Sequence, residues 1–216
     1  MQVHTKLFRL GTLLAILLLA QGCAVGVRIP YENVMLDVKA SGADTKIGVV
    51  ALDLRPYILS GEKSPEYVGT CRGGYGNPFN VSTQSGKPLA EVMADAISSG
   101  LRRKGFEIVP VQVSRDPQSG DAECKFVASP GKRIVMLVVT LWKSDTFQNT
   151  ALIYDASLKV LDQAGGLVAE SSVSGKDNLG GSAWNPPAAA RRAVPEAFKK
   201  KIEELLNHPD VVNALQ

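Results

Sequence analysis

Cys23 has the clearest chemical context in this sequence of 216 residues. It follows Leu19-Ala20-Gln21-Gly22, where the small residues Ala20 and Gly22 suit a narrow peptidase cleft just ahead of a nucleophilic thiol. A thiol so placed can take a thioether-linked diacylglycerol. Elsewhere the reactive residues are sparse. His208 is the single histidine beyond the N-terminal apolar run, and it stands at a helix end beside Pro209. That position suits a solvent or helix-terminal histidine better than a Ser-His-Asp or Cys-His arrangement. Cys71, Cys124 and His208 form too sparse a trio for zinc. Asp53 and Glu170 form a carboxylate pair of the glycosidase kind only arithmetically, without supporting context. Cys71-Arg72-Gly73-Gly74-Tyr75-Gly76-Asn77 has the glycines of a phosphate cradle but lacks its Gly-Lys-Ser/Thr ending. The sequence therefore predicts no enzyme, no metal site and no cofactor.

Lys6 and Arg9 precede an apolar core over residues 10–20, the length of a signal-peptide core and short for a membrane span. With Gly22-Cys23 at its end, this leader resembles the lipobox of bacterial lipoproteins, although Ala20 and Gln21 depart from the commonest residues. The resemblance implies that residues 1–22 are removed, and that Cys23 is lipidated and anchors the chain. Three acyl chains hold firmly where one binds marginally. Ala24 stands where an aspartate would argue for inner-membrane retention, which favours the periplasmic face of the outer membrane. A secreted protein cut near Gly22 and an uncleaved anchor are the other readings.

Of 24 Lys and Arg, two lie in the leader, leaving 22 against 21 Asp and Glu. This near-neutral balance gives no reason to expect nucleic acid as a partner. Beyond Cys23, the pair Cys71 and Cys124 is a disulfide candidate in an oxidising compartment, with two buried free thiols as the rival.

The elements that would position these residues follow from periodicity. Residues 23–45 read as a lipidated terminus and tether, with a weak strand signal over 31–39, and residues 46–216 as one periplasmic domain. Residues 46–52 are a buried strand ending at Asp53-Leu54-Arg55-Pro56, where Asp53 and Arg55 share a face and can pair. Residues 57–87 show no sustained periodicity, hold six glycines and four aromatics, and are expected to be a binding loop. Its candidate contacts are Asp53, Arg55, Tyr57, Arg72, Tyr75 and Phe79, since arginine and aromatics give much contact at little entropic cost. From Pro88, Leu89, Val92, Met93, Ala96, Ile97 and Leu101 make one helical stripe closed by Gly105. A short strand over 106–111, a polar insertion, a central strand over 134–142 and a hairpin over 151–174 follow. Residues 175–181 read as a turn-rich link. A last helix is capped by Asn185, with Pro195 either kinking or starting it. Trp142 and Trp184 are expected in packing. The fold class is α/β (α+β), a largely antiparallel mixed sheet of four to five strands under two main helices, in the order β-loop-α-β-β-β-β-α.

The lipobox, the GVVALDLRP strand, the PLAEVMADAISSGLRRKGFEI unit, the meander and the Ala-rich last helix together resemble the YajG-type family of outer-membrane lipoproteins. They are also similar, in element order, to the small α/β domains of peptidoglycan-synthase activator lipoproteins. The resemblance implies an anchored, non-catalytic domain with no established ligand, and it names no partner. The main reading here is a binding or scaffolding lipoprotein, held to the membrane through Cys23 and meeting an envelope protein, with the oligomeric state open. Activation of a cell-wall synthase, hydrolysis of envelope glycan or lipid, and carriage of a small molecule or lipid are the alternatives.

Overall fold

The computed structural model describes residues 26–115, 124–128 and 130–216. In chain order the elements are β1 (Arg28–Ile29), a 3-10 turn (Tyr31–Asn33), β2 (Lys46–Asp53), the single-turn helix α1 (Pro56–Leu59), β3 (Tyr67–Arg72) and β4 (Pro78–Thr83). There follow α2 (Leu89–Arg102), β5 (Glu107–Val109), β6 (Gln112–Arg115), β7 (Cys124–Ala128), β8 (Arg133–Thr146), β9 (Asn149–Leu161), β10 (Leu167–Gly181), α3 (Pro186–Leu206) and α4 (Pro209–Leu215). The architecture is a mixed α+β layer: one large sheet of 8 strands, not four to five, with three main helices rather than two. β6 and β7 pair separately as a two-stranded sheet within the expected polar insertion.

β8 is the spine. One edge pairs antiparallel with β9 along its whole length, and β10 continues the meander beyond β9. The other edge is shared by two strands in succession. β2 pairs parallel with it from Arg133 to Val139, and β3 takes over in parallel from Ser144 to Thr146. An irregularity between Val139 and Leu141 changes the alternation, so Val135, Leu137 and Val139 face the helices before it and Trp142 after it. The reverse face carries a second small apolar cluster of Leu52, Ile134, Met136 and Leu161.

The unperiodic stretch 57–87 is a hairpin, β3 with β4, rather than an open loop. Gly69 permits it: a Cβ there would collide with Ser144 of β8, so only glycine lets β3 approach the spine. β10 likewise runs on through the expected link at 175–181. At Gly175 a Cβ would stand 3.0 Å from Tyr154 Oη, so the glycine leaves room for that ring to lie across the strand.

The N-terminal stretch is part of the core rather than a free tether. Ile29, Tyr31, Leu36, Val38 and Ala40 are all buried. Residues 34–40 are extended without pairing as a strand. Their backbone partners are side chains of α3 and of its C-terminal cap: Asp37 N donates to Glu203, Lys39 N donates to Asn207 at 2.8 Å, and Asn207 Nδ2 donates to Asp37 O at 2.8 Å. Arg103, just past α2, donates to Leu36 O at 2.7 Å. The segment thus lies between the C-terminal ends of two helices. Above it, Tyr31 packs edge-on to Phe198 at 5.2 Å and its hydroxyl accepts from Trp142 Nε1 at 3.2 Å. Full burial pushes the Tyr31 phenol far above its ordinary range. α3 continues through Pro195 as one helix, with Val194, Phe198, Ile202 and Leu205 on its buried stripe.

Candidate functional site

The six residues expected in one binding loop separate into two groups at different heights on the sheet. Asp53, Arg55 and Tyr57 sit where β8 passes from β2 to β3. Arg72, Tyr75 and Phe79 belong to the β3–β4 hairpin near the end of β8.

The first group is structural. Arg55 is completely buried, and each of its five N–H groups has an acceptor. Nε and Nη2 grip the Asp53 carboxylate at 2.8 and 2.7 Å, while Nη1 donates to Tyr67 O at 2.6 Å and Trp142 O at 3.2 Å, and Nη2 also donates to Pro65 O at 3.2 Å. Tyr57 Oη adds a second donor to Trp142 O at 3.1 Å, and the guanidinium lies 5.5 Å from the Tyr57 ring centre. The reason is topological. Trp142 lies between the last β8 residue paired to β2 and the first paired to β3, so its carbonyl faces a gap in the ladder. Arg55 supplies the donors that a neighbouring strand would have given. Burial works against its charge, yet the hydrogen bond and charge of Asp53 carry its pKa above the ordinary value. The expected Asp53–Arg55 pairing is formed. Arg55 is thereby closed off from the surface, while Asp53 and Tyr57 stay partly exposed beside it.

The second group is at the surface. β3 and β8 are in register at Cys71 and Thr146, so the β3–β4 and β8–β9 turns lie side by side. Tyr75 caps the first turn, 99% exposed, and Phe147 the second, 45% exposed. Phe79 pairs across the hairpin with Cys71 and is half-buried. Arg72 grips Asp145 through Nε at 2.9 Å and Nη2 at 2.8 Å, joining the two hairpins. The hydrogen bonds from Arg72 hold the Asp145 carboxyl below its usual range. Beside this bridge is a cleft of about 410 Å³, lined by Arg72, Asp145, Phe147, Ile153, Lys176 and Asp177 among others. Its chemistry is mixed: apolar floor from Ile153 and Phe147, one cation and one carboxylate beyond the bridged pair.

Sequence reasoning missed Asp145, Phe147, Lys176 and Asp177. A phenylalanine inside the polar turn Asp145-Thr146-Phe147-Gln148-Asn149 was a signal in plain view. It also misjudged Trp184, which is 97% exposed just before α3, whereas Trp142 is buried as expected. Cys71 is a buried free thiol, raised in pKa by its burial and by Asp145. The Cys124 side chain lies outside the described residues, as does the expected lipidation site Cys23. His208 precedes α4 and lies 3.6 Å from Asp210. Asp53 is engaged by Arg55, and Glu170 by Lys159 at 3.7 Å.

No family model matches this chain, and no curated protein matches it. Its fold is similar to that of protein XCC0632 from Xanthomonas campestris, described under the family model DUF330. That similarity has a TM-score of 0.53 at 11% identity and covers 88% of this chain and 95% of that one. Looser matches are a crystal structure of an uncharacterised protein (TM-score 0.39, 9% identity, 79% of this chain and 98% of that) and lipoprotein GNA1162 from Neisseria meningitidis (0.26, 14%, 72% and 99%). At these levels the first shows a shared fold and the other two carry no weight for this chain. The YajG-type and synthase-activator resemblances gain no support from them. No helix among the described residues is long and apolar enough to cross a membrane.

Proposed function

We propose that this chain is a membrane-anchored periplasmic lipoprotein whose folded domain binds or scaffolds other envelope components without catalysing a reaction. The observation that carries the reading is the place of the N-terminal segment. With β1 in the sheet and residues 36–40 held between α2 and α3, only the four residues 24–27 separate Cys23 from the first strand. Fully extended, that linker reaches about 17 Å, so a lipid on Cys23 would hold the domain against its membrane.

The cleft beside the Arg72–Asp145 bridge is the binding surface in this reading, since it joins an apolar floor to fixed charges near the anchored side. Activation of a synthase is the narrower version, restricted by the short linker to a partner that approaches the membrane. The hydrolase alternative finds Asp53 and Glu170 each committed to a separate ion pair. The test is in-cell photocrosslinking from Ile153 and Asn178 in the cleft, with mass spectrometry of the N-terminal peptide. A diacylated, N-acylated Cys23 and one reproducible protein adduct support the proposal. An unmodified Cys23, or a Cys23→Ser protein that still fractionates with membranes, would count against the anchor.

A further inference from the structure

Among the described residues, the large aromatic side chains that are exposed, Tyr75, Phe147 and Trp184, gather at one end of the sheet. Phe147 directly follows Thr146 at the end of β8, and Tyr75 lies four positions beyond Cys71, the register partner of Thr146. Trp184 follows the end of β10, where Gly181 pairs with Asn149, and Ser182 N donates to Gln148 O at 3.0 Å, tying this segment to the β8–β9 turn. The exposed aliphatic residues Leu167 and Val168 sit at the opposite end, by the β9–β10 turn.

The chain also enters the fold from this aromatic end. β1 runs parallel to β4, with Arg28 opposite Ser82 and Ile29 opposite Thr83, and β4 runs away from the Tyr75 turn. Gly26 and Val27 therefore lie on the Tyr75 side of Arg28, and Val27 O accepts from Ser82 N at 3.3 Å. Cys23 is three positions further back along the sequence. Tyrosine and tryptophan favour the membrane–water boundary, where an apolar ring and a polar edge are both accommodated.

We infer that this end of the sheet docks on the lipid surface, with Tyr75, Phe147 and Trp184 seated at headgroup level beside the anchor. The inference rests on lipidation of Cys23. It deepens that reading by fixing the face turned to the bilayer: the sheet stands upright, and the cleft at Phe147 opens just above the headgroups. Each ring alone contributes little, but the anchor supplies the proximity, so the rings need only set orientation.

The test uses the full-length protein in vesicles of phosphatidylethanolamine and phosphatidylglycerol, with and without lipid brominated on the upper acyl chain. Trp142 is fully buried and supplies a constant background, which Trp184→Phe measures. The expected result is a blue-shifted Trp184 emission that brominated lipid largely quenches. Tyr75→Ser with Phe147→Ser should reduce that quenching, and Leu167→Ser should leave it intact. Water-like, unquenched Trp184 emission in a protein shown by mass spectrometry to carry lipid overturns the docking. A blue shift without quenching also overturns it, because protein then covers the rings. Cys23→Ser protein mixed with the same vesicles separates the two ideas: loss of flotation supports the anchor, whereas flotation that persists with quenched Trp184 supports docking and removes the need for an anchor.

Discussion

Replacing Arg55 with methionine should be among the most damaging single changes in the domain. The side chain is fully buried, and methionine keeps much of its length while removing all five donors. Left behind are the Asp53 carboxylate, whose side chain is only 12% exposed, and the carbonyls of Tyr67 and Pro65 without this donor. Trp142 O would keep the Tyr57 hydroxyl. Removing one partner of a buried pair costs about 3–5 kcal/mol, chiefly because the other charge is stranded. A domain of this size loses about 2–4 °C of melting temperature per kcal/mol, so a fall of about 6–20 °C is expected. The assay is urea unfolding followed by tyrosine and tryptophan fluorescence, with a thermal melt alongside. Arg55→Lys should recover only part of the loss, because an ammonium cannot grip a carboxylate through two parallel bonds. The double change Asp53→Leu with Arg55→Met should cost less than Arg55→Met alone, since no charge is then stranded. A methionine variant within about 0.5 kcal/mol of wild type, the range of ordinary surface changes, would refute the assignment of Arg55 as the donor filling the gap in the ladder.

Other outcomes follow from the same geometry. Tyr31→Phe removes the acceptor for Trp142 Nε1 and should destabilise by about 1–3 kcal/mol in urea, while a change near zero would show that this buried bond is dispensable. Cys71 should resist alkylation in the native state and react on unfolding, since its thiol is buried and its pKa raised; rapid native labelling would contradict this. For Asp145 the folded-state pKa is depressed by Arg72, so its contribution is present above the ordinary carboxylate pKa and disappears as pH falls through the depressed value. Asp145→Asn should therefore lower the urea midpoint at neutral pH and approach wild type in acid, and a pH-independent difference would exclude the ion pair as its source.

The parts of the fold that could be read from sequence were those with a sustained apolar pattern. β2 and β8 announce themselves as apolar, β-rich runs, α2 by a stripe of period 3.6, and β9 by strict alternation. β3 and β4 were hidden because each is only 6 residues long, and their glycines and prolines look like loop. Gly69 is there for contact with β8, a reason that exists only in three dimensions. Residues 34–40 alternate correctly, yet their partners are Glu203 and Asn207, some 166 to 170 positions away. Of the site, the Asp53–Arg55 pair was legible from its spacing. The Arg72–Asp145 bridge was not, because it depends on the register between β3 and β8. Trp184 was misread since an aromatic near a helix start gives no sign of which way it turns.

The direction of β1 has a mechanical consequence. A pull on the chain from the Gly26 side acts along β1 rather than across it. The hydrogen bonds that Ser82 and Gln84 donate to Val27 and Ile29 would then be loaded together in shear, not opened one after another. Behind them stands Tyr31, wedged against Phe198. Force applied at the N-terminus is thus delivered to the centre of the domain, and resistance to it depends on the rate of unfolding under load rather than on equilibrium stability alone.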